Sequence, residues 1–284
     1  MKITPILMIF TTLFSSAFSQ EQTENLPQYG IVLSGGGALG FAHIGALMAL
    51  EEANIEISVI SGASIGSIVG AMYAYGYSPQ EMIDIIENEK LYKLSKILTL
   101  NLFNRHGISN HKKIKNILNK ILPVNSFDSL KRFFSLSMTN FIDLETEYVC
   151  SGDQLREKIM ASAAIPSVFE PVIIDNIVYV DGGTMNNLPI EPIQGRCKKI
   201  IMVDVTAVRK EILTSGKIKI VSRAASAMMK QMNIHRIHQA DYYVGLEALE
   251  QYNLFDFKEY KTIIQIGYDG MKEYLKNHPE LIKI

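Results

Sequence analysis

The fold is decided by the stretch from Tyr29 to Tyr75, which reads YGIVLSGGGALGFAHIGALMALEEANIEISVISGASIGSIVGAMYAY. In its first half, the apolar run Ile31–Leu33 ends in a glycine cluster, after which Phe41–Ala53 has the apolar spacing of a helix. In its second half, the β-branched run Ile57–Ile60 ends at another Gly-containing turn, and Ile65–Tyr75 again has helical spacing. Because this repeated order of strand, turn and helix builds parallel sheets covered by helices, the stretch predicts an α/β fold.

The same stretch allows a second interpretation, in which two helices span a membrane. The runs Ile31–Leu50 and Ile57–Tyr77 carry no charge and are long enough to cross a bilayer. However, each run has its Gly/Ser cluster where a strand would turn into a helix. No Lys or Arg occurs between Lys2 and Lys90 to set an orientation, so the α/β interpretation is favoured.

Further strands are predicted after Arg132. They cover Phe133–Met138, Glu147–Cys150, Val172–Ile174, Val178–Val180 and Ile200–Val205. Asp175-Asn176 between two of these runs predicts a hairpin turn, and Lys261–Lys283 predicts a closing helix or helix pair. The chain is therefore expected to form a sheet with helices packed on it.

The composition is that of a globular protein. The 284 residues are 48% hydrophobic and 20% charged, which excludes a disordered chain, a collagen and a coiled coil. The formal net charge of −1 gives no basic field for nucleic acid. Cys150 and Cys197 lie in no CxxC or Cys/His pair, which argues against structural zinc, and the sequence leaves open whether they form a disulfide.

The N-terminus has the pattern of a secretory signal peptide. Lys2 precedes the apolar run Ile3–Phe14, and Ala17 and Ser19 place small residues at a cleavage site. Residues 1–19 are therefore predicted to be a signal peptide and residues 20–28 a polar leader. The protein is expected to be exported, to a periplasm, an outer membrane or the medium. A retained N-terminal anchor is the alternative.

A candidate nucleophile lies in the motif Gly62-Ala63-Ser64-Ile65-Gly66. A serine at a sharp strand-to-helix turn adopts a strained backbone conformation, and small residues two before and two after let the turn close. The helix that begins at Ile65 directs its N-terminal N–H groups at the serine and favours negative charge there. A tight packing turn without chemistry is the alternative interpretation.

A candidate oxyanion-binding loop follows the first strand. Gly35, Gly36 and Gly37 allow backbone N–H groups to converge on a negatively charged oxygen without obstruction by side chains. The spacing of Gly35, Gly37 and Gly40 also fits the dinucleotide fingerprint GxGxxG. That fingerprint needs an acid at the end of the second strand, where this chain has Ser61-Gly62-Ala63, so a nucleotide cofactor is disfavoured.

Asp181 is the candidate base. It follows the predicted strand Val178–Val180 and precedes two glycines, a setting in which a carboxylate can be held rigidly. A structural Asx-turn is the alternative. A serine nucleophile more often uses His, but no His of this chain lies at a predicted strand end late in the sequence.

Basic residues are concentrated in the segment from Lys90 to Arg132, which we call the basic segment. It carries ten Lys and Arg residues against a single acid, Asp128. Apolar residues recur among them at helical spacing, namely Leu91, Leu94, Ile97, Leu98, Ile114, Ile117, Leu118 and Ile121. This pattern predicts basic amphipathic helices. They would either form a solvated surface or dock the protein peripherally on an anionic membrane.

These motifs, in this order, resemble the patatin-like phospholipase family. The matching pieces are Leu33–Gly40, Gly62–Gly66 and Asp181–Gly183, supported by Ala161–Phe169 and Asn186–Ile190. The resemblance implies a three-layer α/β/α fold with a mostly parallel central sheet, occupying residues 29–284 as a single catalytic domain of the bacterial type. Leu39 departs from the pattern, because many members carry Arg or Lys at that position.

The resemblance also implies the site and its chemistry. Ser64 would be the nucleophile and Asp181 the base of a Ser–Asp dyad without a catalytic His. The N–H groups of Gly35, Gly36 and Gly37 would form the oxyanion hole, and neither a metal nor a cofactor is implied. The expected function is an exported serine hydrolase of phospholipid, lysophospholipid or acylglycerol esters. A catalytically silent lipid-binding module of the same fold is the alternative.

Overall fold

The computed structural model describes residues 26–93, 110–166, 168–207 and 231–282. Within them, one eight-stranded sheet organises the chain. Its strands are β1 (Tyr29–Leu33), β2 (Ile57–Ala63), β3 (Phe133–Asn140), β4 (Glu145–Val149), β5 (Val172–Ile174), β6 (Ile177–Asp181), β7 (Lys199–Asp204) and β8 (Tyr242–Gly245). The predicted signal peptide and part of the basic segment lie outside the described residues.

The sheet is mostly parallel. Its strand order is β5-β6-β3-β2-β1-β7-β8, with β4 also paired to β3. The pairs β1–β2, β1–β7, β2–β3 and β7–β8 are parallel, whereas β3–β4, β3–β6 and β5–β6 are antiparallel. The predicted α/β class with a mostly parallel central sheet is confirmed. The carboxyl ends of β1, β2, β3 and β7 consequently meet at one end of the sheet.

Helices connect and cover the strands. They are α1 (Phe41–Glu52), α2 (Ile65–Tyr75), α3 (Pro79–Asn88), α4 (Asn110–Ile121), α5 (Leu155–Ser162) and α6 (Tyr260–Asn277), and residues 231–237 are also helical. The helix predicted from Ile114, Ile117, Leu118 and Ile121 is α4, and the predicted closing helix is α6. The earlier helix predicted in the basic segment falls largely on residues 94–109, outside the described part.

The alternative of two membrane-spanning helices is wrong. Each uncharged run divides into a strand and a helix, β1 with α1 and β2 with α2. No helix in the described ranges is long and apolar enough to cross a bilayer. The predicted hairpin turn is confirmed, since Asp175 and Asn176 both have positive φ, at 51° and 66°.

Sequence reasoning missed α3, α5 and β8. A signal for α3 was present, because Ser78 caps the helix, Pro79 occupies its first position and the Glu81 side chain completes a capping box. The last strand, β8, has only four residues, so it offers almost no periodicity to detect. Its place in the sheet comes from parallel pairing with β7.

The two faces of the sheet are covered differently. Ile31 and Leu33 of β1 point into the larger core, which includes α1, α2, α3 and α6. Val32, between them, points to a smaller core that also contains Leu188 and Ile190. Such alternation, with both faces buried, is expected for a central parallel strand.

Glycines allow α1 and α6 to cross at close range. A Cβ atom at Gly45 of α1 would collide with the carbonyl oxygen of Ile264, and one at Gly267 of α6 would collide with that of Ala42. Both obstacles are backbone atoms, which cannot rotate away. The contact therefore fixes how α6 packs against the helix that follows the glycine loop.

Substituting Gly267 tests this contact. We expect Gly267→Ala to lower the free energy of unfolding by about 1–3 kcal/mol, because the added methyl group must push the two helices apart. Gly270→Ala in the same helix is the matched control, since its methyl group would meet only the end of the Leu246 side chain. That change should be neutral or stabilising by up to about 1 kcal/mol. Urea unfolding of both variants measures the difference, and equal effects would contradict the proposed crossing contact.

Candidate active site

Ser64 occupies the sharp turn between β2 and α2. Its backbone has φ 51° and ψ −124°, a conformation that non-glycine residues rarely adopt. A Cβ atom at Gly62 would collide with the carbonyl oxygen of Gly66, and one at Gly66 would collide with that of Leu33. The two glycines of the motif are therefore required for the turn to close against β1.

The Ser64 hydroxyl donates a hydrogen bond to Asp181. The distance from Ser64 Oγ to Asp181 Oδ2 is 2.6 Å, although 117 residues separate the two positions. Both side chains are buried. The structure thus brings together the two residues that the sequence singled out from separate motifs.

Strand β3 determines how these residues meet. Its residues Phe133–Ser137 pair with β2, ending at the pair of Ser137 with Ala63. The next residue, Met138, pairs with Asp181 of β6. Because β4 occupies the other edge of β3, β2 and β6 lie one after the other along the same edge. The end of β2 and the end of β6 are therefore neighbours, which places Ser64 beside Asp181.

The last residue of α5 and the segment that follows it hold both backbones in place. The Ser162 hydroxyl oxygen accepts a hydrogen bond from Ser64 N at 3.0 Å. Two residues later, the Ala164 carbonyl oxygen accepts one from Asp181 N at 3.0 Å. The Thr139 hydroxyl donates to the Asp181 carbonyl oxygen at 2.9 Å. Sequence analysis noted the stretch around Ser162 but did not assign it this positioning role.

Burial raises the pKa of Asp181 to about 7, well above the ordinary value for a carboxyl group. The Ser64 hydroxyl and the N–H of Gly183, which lies 2.7 Å from Asp181 Oδ1, both favour the charged form and limit the rise. A carboxylate with a pKa near neutrality can accept a proton from a hydroxyl and return it. Such tuning is typical of catalytic groups.

The glycine loop lies against Ser64. A Cβ atom at Gly35 would be 3.0 Å from the Ser64 Cβ, and one at Gly37, where φ is 54°, would collide with the Leu254 carbonyl oxygen. The Gly35 N–H donates to Asn187 Oδ1 at 3.1 Å. Within the described residues, the N–H groups of Gly36 and Gly37 have no acceptor. All three glycines were expected to offer their N–H groups to an oxyanion. The Gly35 N–H differs from the other two, because it is already hydrogen-bonded to Asn187.

Asn187 connects the glycine loop to a buried carboxylate. Its Nδ2 donates to the Thr206 hydroxyl at 3.2 Å, and that hydroxyl donates to Asp204 Oδ1 at 2.7 Å. The Tyr243 hydroxyl donates to Asp204 Oδ2 at 3.0 Å. Burial raises the pKa of Asp204, while these donors oppose the rise. The chain of hydrogen bonds fixes the start of the glycine loop relative to the end of β7, a role that the sequence did not reveal.

Histidine takes no part in the described site. His43 is buried, and its Nε2 lies 2.8 Å from the Ser34 carbonyl oxygen, to which it must donate. Burial lowers the pKa of His43 to about 4, so the ring is neutral and its hydrogen bond supports Ser34, the residue before the glycine loop. His235 and His238 are exposed. His43 therefore has a structural role in the described part of the site.

An apolar pocket opens beside Ser64. Its walls come from the glycine loop and α1, from α2, from α4, from the segment after α5 and from residues 254–257. Of the described residues that line it, only Ser64 has a polar side chain. Ile114, Ile117, Leu118 and Ile121 of α4 face this pocket, whereas Lys112 and Lys115 are exposed. The apolar face of α4, which would insert into the membrane under the docking alternative, covers the pocket in this structure.

Comparison with known proteins places this site in a family. The sequence profile described as Patatin-like phospholipase matches residues 31–193, more than half of the chain. The chain belongs to the patatin-like phospholipase family. The matched range includes Ser64, Asp181 and the glycine loop. Family membership and the mostly parallel sheet confirm the resemblance seen in the sequence.

Curated relatives include fungal lysophospholipases that are much longer than this chain. Lysophospholipase NTE1 of Kluyveromyces lactis is 27% identical over 88% of this chain, which spans 19% of that relative. Lysophospholipase NTE1 of Cryptococcus neoformans is 32% identical over 64% of this chain and 11% of its own length. The chain thus spans less than a fifth of these relatives.

Two solved structures with the same fold cover most of this chain. Human GIVD cytosolic phospholipase A2 gives a TM-score of 0.55 at 10% identity, covering 92% of this chain and 60% of that one. VipD from Legionella pneumophila gives a TM-score of 0.51 at 14% identity, covering 89% of this chain and 67% of that one. At these identities the likeness concerns the fold.

The raised pKa of Asp181 predicts how the reactivity of Ser64 depends on pH. Asp181 can accept the hydroxyl proton only when it is ionised, so labelling of Ser64 by a fluorophosphonate should speed up as the pH rises through about 7. Stopped-time labelling between pH 5 and 9 measures the rate, with circular dichroism confirming the fold at each pH. In Asp181→Asn the labelling should be slow and independent of pH. A parent rate that is already constant from pH 5 upward would contradict the assignment of Asp181 as base.

Proposed function

We propose that this protein is a serine lipid acyl hydrolase that cleaves carboxylic esters of phospholipids, lysophospholipids or acylglycerols. The observation that carries the proposal is the 2.6 Å hydrogen bond from Ser64 to Asp181 at the wall of an apolar pocket. The pocket offers an acyl chain a lining without charged side chains. The family assignment and the relatives called lysophospholipases support the same reaction class.

In the first half of the proposed reaction, Ser64 becomes acylated. Its Oγ attacks the ester carbonyl carbon while its proton passes to Asp181 Oδ2, and the carbonyl oxygen takes the negative charge. When the tetrahedral intermediate collapses, the bond to the alcohol oxygen breaks. Asp181 returns the proton to that oxygen, so the alcohol part leaves as a neutral hydroxyl compound and an acyl-enzyme remains.

Hydrolysis of the acyl-enzyme completes the cycle. A water molecule gives a proton to Asp181 as its oxygen attacks the acyl carbon. The bond to Ser64 Oγ then breaks, Ser64 recovers the proton, and the fatty acid leaves. Asp181 begins and ends the cycle ionised, and a pKa near 7 suits both directions of proton transfer.

The backbone of the glycine loop would stabilise the oxyanion. Gly36 and Gly37 have N–H groups without an acceptor in the described part of the chain, so these two donors can turn to the developing charge. The Gly35 N–H, held by Asn187, would contribute by fixing the loop. Loss of a single donor of this kind typically raises the barrier by about 2.7–4 kcal/mol.

A silent lipid-binding module is the second candidate function. It would need the apolar pocket but not the hydrogen bond of Ser64 to Asp181, the raised pKa of Asp181 or the strained backbone of Ser64. Strain and a buried carboxylate both reduce stability, so their presence together favours catalysis over binding.

We further propose that the protein is exported and that its N-terminal pattern is cleaved. The pattern of Lys2, the apolar run and the small residues Ala17 and Ser19 supports cleavage after Ser19. N-terminal sequencing of the native protein is expected to begin close to Gln20. Recovery of an intact N-terminus beginning at Met1 or Lys2 would refute cleavage.

The basic segment is proposed to attract anionic membranes. Lys112 and Lys115 are exposed on α4, while the apolar face of α4 covers the pocket, so the attraction is electrostatic. Lysines near an anionic surface contribute about 1 kcal/mol each. Binding of Ser64→Ala protein to anionic vesicles should weaken with salt and fall when Lys112, Lys113 and Lys115 become Glu. Binding that ignores both changes would refute this role.

The dyad itself is tested by substitution. Ser64→Ala and Asp181→Asn should each abolish hydrolysis of a soluble short-chain ester and of lysophospholipid, and the double variant should be little worse than either, because the two residues act as a unit. Fluorophosphonate should label the parent at Ser64 only.

The matched control is Ser67→Ala. Its hydroxyl donates to the Ser64 carbonyl oxygen at 2.6 Å but does not reach Asp181, so most activity should remain. Hydrolysis by Ser64→Ala at more than a few per cent of the parent rate would refute the assignment of the nucleophile.

A further inference from the structure

Exposed apolar side chains are concentrated at the tips of two hairpins. Within the described residues, the four most exposed large apolar side chains have between 52% and 69% of their surface accessible. They are Phe141, Ile142, Leu144 and Ile173. The first three lie in the turn between β3 and β4, and the fourth lies in β5, in the hairpin with β6. Residues 141–144 and 172–178 are called the tip patch below.

The two tips form one surface. The Phe141 N–H donates to the Val178 carbonyl oxygen at 2.8 Å, and Val178 pairs with Ile173 across the β5–β6 hairpin. Phe141, Val178 and Ile173 therefore lie side by side. Contiguous exposed apolar side chains on a soluble domain usually mark an interaction site.

The tip patch lies at the same end of the sheet as the dyad. Ser137 of β3 is level with Ala63, and β3 continues for three further residues to Asn140 before the turn begins. At about 3.4 Å per residue, the turn protrudes roughly 10 Å beyond the end of β2. The patch is also connected to the pocket wall along the chain, because Phe169 lines the pocket and β5 begins three residues later at Val172.

The charges around the tip patch select the kind of partner. Asp143, Glu145, Glu147 and Asp175 lie in or next to the two turns, and residues 141–148 and 172–179 contain no Lys or Arg. An anionic partner would be repelled by these carboxylates. A partner surface without net charge would not be repelled by these carboxylates.

We infer that the tip patch inserts into a zwitterionic lipid surface and seats the pocket on it. The inference rests on the proposed function, because the esters of a lipid hydrolase lie within such a surface. Exposed apolar side chains gain by leaving water for the acyl region, and their position beyond Ser64 would place the pocket entrance against the lipid.

A second copy of the chain fits the tip patch less well. A standard protein interface buries about 800 Å² on each partner. Four partly exposed side chains on protruding turns offer well below that area. A narrow protrusion of this kind can insert into a fluid lipid surface, because lipid molecules rearrange around it.

The absence of Trp from the sequence allows a direct test. Ile142→Trp, made in the Ser64→Ala background, carries the single indole of the protein at the tip. We expect its emission to shift to the blue on phosphatidylcholine vesicles in high salt, and to be quenched by brominated acyl chains. High salt and zwitterionic lipid remove any contribution from the basic segment.

Ile282→Trp is the matched control. Ile282 is half exposed, but the carbonyl oxygen of its neighbour Leu281 accepts a hydrogen bond from the Tyr29 hydroxyl at the amino-terminal end of β1. It therefore lies at the opposite end of the sheet from Ser64, and its emission should not change. No shift for Ile142→Trp, or an equal shift for both reporters, would overturn the inference.

Activity provides the second readout, in the protein that retains Ser64. Replacing Phe141, Ile142 and Leu144 with Ser should lower hydrolysis of phosphatidylcholine vesicles at least about tenfold and leave hydrolysis of a soluble ester unchanged. An equal loss of activity on both substrates would overturn the inference. It would also be overturned if light scattering showed that the parent is a dimer and that these substitutions convert it to a monomer. If the parent cleaves no soluble ester while Ile142→Trp still inserts, the proposed function fails and the docking surface stands.

Discussion

The site depends on a change of partner along one edge of β3. The first five residues of this strand pair with β2 and the last three with β6, so a serine and an aspartate from distant parts of the chain end at adjacent places. A slip of one residue in either pairing would reverse which face of the sheet each side chain points to. The 2.6 Å hydrogen bond between Ser64 and Asp181 therefore exists only in the observed register.

Two features of this arrangement are energetically unfavourable, and neighbouring residues must hold them in place. Ser64 has a strained backbone, and Asp181 is a carboxyl group removed from water. Ser162 and the Ala164 carbonyl bond to their backbones, and Gly183 bonds to the Asp181 side chain. Asn187 holds the glycine loop in the same way. Each of these hydrogen bonds is ordinary by itself, but together they prevent the reacting groups from relaxing to other positions.

Polar and apolar surfaces are separated on the helix that covers the pocket. The Ile and Leu residues of α4 line the apolar pocket, while Lys112, Lys115 and Lys120 of the same helix are exposed. The sequence pattern predicted this amphipathic helix correctly, but periodicity cannot tell whether an apolar face meets a membrane or the core of its own domain. In the described part of the chain, the four most exposed large apolar side chains lie instead in the turn between β3 and β4 and in the β5–β6 hairpin.

The sequence by itself determined the local elements and the chemistry of the motifs. Strands β1 to β7 were predicted within a few residues, because apolar runs and glycine-containing turns are properties of the local sequence. So were the elbow at Ser64 and the hairpin turn at Asp175. Only the tertiary structure decided which groups meet. The contacts of Ser162 and Asn187, the engaged N–H of Gly35 and the raised pKa of Asp181 arise from pairings between distant segments. The spacing of residues along the chain does not indicate such pairings, because they depend on burial and on strand register in the folded protein.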